Sequence, residues 1–228
     1  MFQGYFLTIL GGAALTLELA LLSLLFALAA GLAGASAKLS RSAPLRWLAT
    51  AYTTVVRGVP DLVMMLLVFY GGQMLVNQVT EQLDLGYFDL NPMVAGVFTI
   101  GFIFGAYFAE TFRGAFLAVP SGQLEAGAAY GMNPWQVFVR ILFPQMLRHA
   151  LPGLGNNWLV LLKSTAIVSM IGLSDMTWLA DQAGRTTRQP FVFYLLVCAL
   201  YLTMTTASSW LLRWLEGRYS VGVRAAEL

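Results

Sequence analysis

Apolar residues gather in five long runs, at roughly residues 8–36, 59–79, 92–118, 153–173 and 190–212, with shorter polar stretches between them. A bilayer core takes about 20 mostly apolar residues per helix, so each run predicts one spanning helix. The expected fold is an all-α integral membrane protein with five transmembrane helices, residues 1–228 forming a single transmembrane domain. Lys38 to Arg57 reads instead as amphipathic and basic, and its Trp47 and Tyr52 suit a helix lying flat at the interface. Ala35-Ser36-Ala37 has the form of a signal-peptidase site, but no Lys or Arg precedes Lys38 and the run is too long for a signal, so it is read as a retained helix. On the third run, Gly96, Gly101, Gly105 and Ala106 permit close approach of a neighbouring helix.

Five spans place Lys38, Arg41, Arg46, Arg57, Arg113, Arg140, Arg148, Arg213, Arg218 and Arg224 on one side, which the positive-inside rule makes the cytoplasm. The opposite loops carry Glu81, Asp84 and Asp89, then Asp175, Asp181, Arg185 and Arg188. The N-terminus is expected outside and the C-terminus inside.

Composition agrees with residence in lipid: 58% of residues are hydrophobic and 11% charged, with a mean hydropathy of +0.71. A net charge of +2, from 13 basic and 11 acidic residues, gives no reason to expect a nucleic-acid partner. Single Cys198 allows no internal disulfide, and with single His149 and unclustered acids no metal site is expected. Neither Lys38 nor Lys163 follows a glycine, so there is no phosphate-binding loop of the G-x-x-x-x-G-K kind. The chain is expected to be no enzyme and to hold no cofactor.

The connection from Ser121 to Leu151 carries the strongest local signals. Ser121 is expected to cap a short helix after Pro120, with Glu125 in its first turn, favourably placed in the helix dipole. Ala126, Gly127, Ala128 and Ala129 would let a partner approach the backbone, and Tyr130 would anchor it. Gly131 ends this helix and Asn133-Pro134 starts the next.

The run Glu125-Ala126-Gly127-Ala128-Ala129-Tyr130-Gly131, with Ile141 and Pro144 after it, resembles the EAA loop of bacterial ATP-binding-cassette importer permeases. Thr16-Leu17-Glu18-Leu19, Arg57-Gly58-Val59-Pro60-Asp61, Phe69-Tyr70-Gly71, Gly105 to Gly114, Asn156-Asn157-Trp158, Lys163-Ser164-Thr165 and Arg218 to Val223 are similar to the polar-amino-acid permeases, above all those serving histidine, lysine, arginine and ornithine import. The chain departs from that pattern at Gly127 and Phe143, at Ala166, and at Asp61, where the family commonly has Leu. The resemblance implies a type I importer permease in the bacterial inner membrane. It implies four kinds of partner: a second homologous permease subunit, an ATPase dimer that binds the ATP, a periplasmic binding protein, and a basic amino acid as substrate. Residues 121–144 would be the cytoplasmic coupling loop, with Glu125, Ala126, Gly127, Ala129, Tyr130, Gly131 and Pro144 contacting the ATPase.

Ionisable groups inside spans cost about 2.5–3.5 kcal/mol each on insertion scales, so Glu18, Asp61, Glu110 and Lys163 each call for a partner or a function. Fixed carboxylates facing a polar cavity would attract cationic amino acids. Asp61 is a candidate cation ligand at a helix start, or a pair for Arg57 one turn back. Glu110 is a candidate of the same kind, or a pair for Arg113 three residues on. Tyr107 and Asn157 could add polar or cation–π contacts. Glu18 and Lys163 are expected to pair with each other across two spans. The alternatives are an importer for opines or another polar amino acid, and, from another class, a secondary transporter or channel; the inverted repeats of the latter are absent from the sequence.

Overall fold

A computed structural model describes residues 2–219, so Ser220 to Val223 of the last motif and Arg224 lie outside the described residues. All regular structure among them is helical. In order come α1 (Phe2–Leu39), α2 (Ala43–Gly58), α3 (Asp61–Gln82), α4 (Pro92–Leu117), α5 (Ser121–Ala129) and α6 (Pro134–Val137). A π turn (Phe138–Leu142) leads into α7 (Phe143–Ser164), followed by a 3₁₀ stretch (Thr165–Ile171), α8 (Met176–Thr187) and α9 (Pro190–Tyr219).

Five of these segments are long and apolar enough to cross a membrane: Gly4–Leu39, Asp61–Gln82, Pro92–Leu117, Pro134–Ile171 and Pro190–Arg218. They coincide with the five apolar runs. The fourth is longer than its apolar core suggests, because the helix starts ahead of the bilayer-length stretch and carries Arg148 and His149 in its early turns.

α4 is the centre of the bundle. In its most apolar window 61% of residues are buried, against 11% for α3 and α9, which leave most of their surface open. The reason is the small residues on α4. A Cβ on Gly105 would lie 2.8 Å from the Ala30 Cβ and 2.8 Å from the Tyr52 hydroxyl, so only glycine lets α1 and α2 approach this closely. The main core joins Leu19 of α1, Met65 of α3, Ile100 and Phe108 of α4, Leu161 of α7 and Val168 of the 3₁₀ stretch. A second cluster joins Ile9, Met176, Phe193 and Val197 at the other end of α1.

Two departures from the sequence reading matter for function. First, α2 is the helix expected over this stretch and most of its residues are exposed, but it is also anchored to the bundle. It packs across α4, where the Tyr52 hydroxyl donates to the Phe102 carbonyl at 2.6 Å and Thr53 is buried. Burial pushes the Tyr52 phenol up to about 12, so it remains a donor at any physiological pH. Second, the loop holding Asp181 and Arg185 is a helix, α8. Asp175 accepts from the Trp178 amide at 2.9 Å and caps it, while Met176, Ala180, Ala183 and Gly184 form a buried stripe. Twelve residues are too few to span a bilayer, so hydropathy alone missed it.

Candidate functional site: a small-residue docking helix and a set of charges in the spans

The docking segment is built from α5 to the start of α7. Pro120, not Ser121, occupies the cap position of α5, and Ser121 makes no side-chain cap bond because it already lies within the first turn; Glu125, the fifth helical residue, falls beyond that turn. The other end follows the sequence signal. Gly131 has φ +81°, its amide donates to the Ala128 carbonyl at 3.0 Å, and the Met132 amide donates to the Gly127 carbonyl at 3.1 Å. This Schellman closure needs a residue in the left-handed region, which glycine occupies without a Cβ penalty. Asn133 and Gln136 then form a reciprocal capping box, at 2.9 Å and 3.0 Å, that starts α6 behind Pro134.

Glu125, Ala126, Ala128, Ala129 and Tyr130 are exposed, and Tyr130 retains 89% of its free surface. Gly127 is different. It is buried, and a Cβ there would meet the Ile141 Cδ1 at 2.6 Å. The departure from the family's alanine therefore lets α5 settle on the π turn, and Gly127 is part of the inner face, not of the docking face. Pro144 is exposed on the first turn of α7. Trp135, 71% exposed, stacks on Phe138 with ring centroids 5.7 Å apart. The sequence reading did not single out this aromatic pair; its signal was an aromatic directly after Asn133-Pro134.

The charges in the spans fall into two groups. Glu110 of α4 is held by Lys38 at the end of α1, with Arg113 at 3.7 Å as a second cation. The expected Glu110–Arg113 contact exists, but Lys38 is the nearer partner and the more enclosed one, with 9% of its side chain exposed against 43% for Arg113. Two cations neutralise Glu110. Of the span carboxylates read as cation ligands, Asp61 is the one with no ion pair among the described residues: it is half-buried at the start of α3, beside the Ser164 side chain.

The other expected pairs are corrected by helix rotation. Arg57 does not reach Asp61; its guanidinium lies over the Tyr107 ring, 5.3 Å from the centroid. Glu18 and Lys163 are both exposed, and no ion pair joins them or gives either another partner among the described residues. Asn157 Nδ2 donates to the Thr111 hydroxyl at 3.0 Å and so ties α7 to α4. Among the described residues no group of His, Cys, Asp and Glu could hold a metal ion.

Comparison with known proteins bears on this arrangement. The chain matches the family of binding-protein-dependent transport system inner membrane components over residues 23–221. It is 53% identical over 228 residues, the full length of both chains, to the histidine/lysine/arginine/ornithine transport system permease protein HisQ of Escherichia coli (strain K12). It is 35% identical over 226 residues, 93% of this chain and 95% of the relative, to the arginine ABC transporter permease protein ArtQ of the same organism. Among solved structures, an amino acid ABC transporter crystallised with histidines superposes with a TM-score of 0.81 at 33% identity, covering 95% of this chain and 96% of that one. The MetNI methionine transporter shares the fold at 20% identity, with a TM-score of 0.69 over 93% and 98% of the two chains. With full-length identity of this degree and the same five-span fold, the chain belongs to the inner membrane components of binding-protein-dependent transport systems.

Proposed function

We propose that this chain is the permease subunit of an ATP-driven importer of basic amino acids, and that it carries no catalytic group of its own. The observation that carries the reading is the full-length identity of 53% to a permease named for histidine, lysine, arginine and ornithine transport. The exposed, small-residue face of α5, closed by Gly131, supports a docking role toward a separate ATPase subunit. In this reading Glu125, Ala126, Ala129, Tyr130 and Pro144 meet the ATPase, which binds the ATP, and Gly127 shapes the helix from behind. A second permease copy or homologue, an ATPase pair and an external binding protein complete the assembly. The basic residues at the ends of the spans support an orientation with α5 in the cytoplasm and the N-terminus outside.

Substrate selection rests on Asp61 in this proposal. It stands at a helix start beside Ser164 with no ion pair among the described residues, and a carboxylate facing a low-dielectric wall attracts guanidinium and ammonium groups. Tyr107 and Asn157 belong to the same wall by way of Arg57 and Thr111, and Glu110 with Lys38 and Arg113 holds it together.

The test is ATP-dependent uptake of labelled arginine by the reconstituted complex, competed in turn by lysine, histidine, ornithine and glutamine. Competition by the basic amino acids and not by glutamine is expected. Asp61→Asn should cut arginine uptake by about tenfold, a loss of about 1.4 kcal/mol of attraction, with assembly unchanged. Equal uptake by that variant would leave Asp61 structural, and uptake by the isolated chain without ATP would refute the importer reading.

A further inference from the structure

A cavity of about 290 Å³ opens between α1, α7 and α9. Its walls are Leu24 and Leu28 of α1, Leu154 and Trp158 of α7, and Leu211 and Leu212 of α9, with Ser208 the one hydroxyl. α7 runs antiparallel to α1 and α9, so Leu28, Leu154 and Leu212 mark the end nearer α5. Gly155 fixes the register, because a Cβ there would lie 3.2 Å from Leu212 Cδ1.

Arg148 stands seven residues before Gly155 on α7, so it is on the same helix face about 10.5 Å further toward the α5 end. Its Nη2 is buried and has no hydrogen-bond partner among the described residues. Glu216, one turn past Leu212 on α9, makes no ion pair with it. A guanidinium nitrogen buried without a partner is costly, and because Arg148 as a whole is half-buried, the rest of the group stays within reach of an anion from outside. Arg213, exposed and next to Leu212, adds positive charge at the same end, with its Nε on the Ser209 carbonyl at 3.3 Å.

We infer that this crevice is a binding site for an anionic phospholipid, with one acyl chain in the apolar cavity and the phosphate on Arg148. Cavity and cation are independent observations that fit the two ends of one molecule: an apolar slot at membrane depth, and a half-buried guanidinium with no ion pair among the described residues where the span meets the headgroups. A partner helix would cover the slot but would leave Arg148 without an anion unless it brought a carboxylate. The site needs only that the chain spans a bilayer and uses nothing of the substrate assignment, so lipid retention and uptake fail separately.

The test is lipid retention by the assembled complex, extracted from phosphatidylcholine bilayers made with or without phosphatidylglycerol and examined by native mass spectrometry. The wild-type complex should keep one phosphatidylglycerol per copy of this chain and no matching phosphatidylcholine. Arg148→Gln should lower retention about fivefold, the factor for one basic residue against an anionic headgroup. Arg148→Lys should restore most of it, and Ser208→Trp, which fills the slot, should abolish it. Equal retention by wild type and Arg148→Gln overturns the proposal. So does unchanged retention by Ser208→Trp. If Arg148→Gln does not assemble, the comparison of Arg148→Lys with Ser208→Trp decides in the same way.

Discussion

Charge neutralisation at Glu110 should be asymmetric between its partners. Lys38→Met removes the nearer cation but leaves Arg113 at 3.7 Å, and Glu110 still has 26% of its side chain exposed. Breaking a fully buried pair costs about 3–5 kcal/mol; a remaining cation and partial exposure bring Lys38→Met down to roughly 1–3 kcal/mol. Glu110→Gln is worse. It leaves the Lys38 ammonium, with 9% of its side chain exposed, and no other carboxylate in reach, so the cost should approach the full roughly 3–5 kcal/mol. The double variant buries no unpaired charge, and its loss should be smaller than the sum of the single losses by about 1–3 kcal/mol. Thermal unfolding of the purified complex in one detergent, at low and high salt, reads all three. The reasoning fails if the two losses add within about 0.5 kcal/mol, or if Lys38→Met costs more than Glu110→Gln.

Gly131→Val forces a β-branched residue to φ +81° and should destabilise the end of α5 by about 1–3 kcal/mol; reconstituted ATP-driven uptake should fall severalfold while the spans still fold, and normal uptake would deny α5 its coupling role. Gly127→Ala should be close to neutral in stability, because a gain of about 1 kcal/mol in helix propensity offsets displacement of Ile141 Cδ1; an unfolding temperature lowered by many degrees would show the inner face to be rigid. Asp175 is fully buried with one carboxylate oxygen unpartnered, and burial raises its carboxyl above the ordinary range. The native state then holds this proton more tightly than the unfolded chain, so its share of stability falls as pH rises through the raised value and returns on acidification. Asp175→Asn keeps the helix cap and should flatten that dependence and raise the unfolding temperature at neutral pH; an unchanged pH profile would mean that Asp175 ionises freely.

Local signals account for what was legible in the chain. The five spans follow from length and hydropathy, because lipid leaves no other way to satisfy an apolar run's backbone. The end of α5 and the start of α6 follow from Gly131 and from Asn133-Pro134, since turn and cap chemistry is decided within a few residues. The α4 glycines announced close packing for the same reason. The short helix α8 escaped because its signal is a cap and a small-residue stripe, not hydropathy. Pairing of charges depended on something a linear pattern does not contain. Glu110 and Lys38 lie 72 positions apart, and whether they meet is set by how α1 and α4 rotate about the Gly105 contact. Helix rotations likewise leave Glu18 of α1 and Lys163 of α7 exposed and put Arg57 of α2 on Tyr107. Sequence alone determined how many segments are long and apolar enough to cross and where α5 ends, because those are properties of a segment in its solvent. Tertiary structure decided which charges are neutralised and which remain available, because that is a property of helix faces brought together by packing.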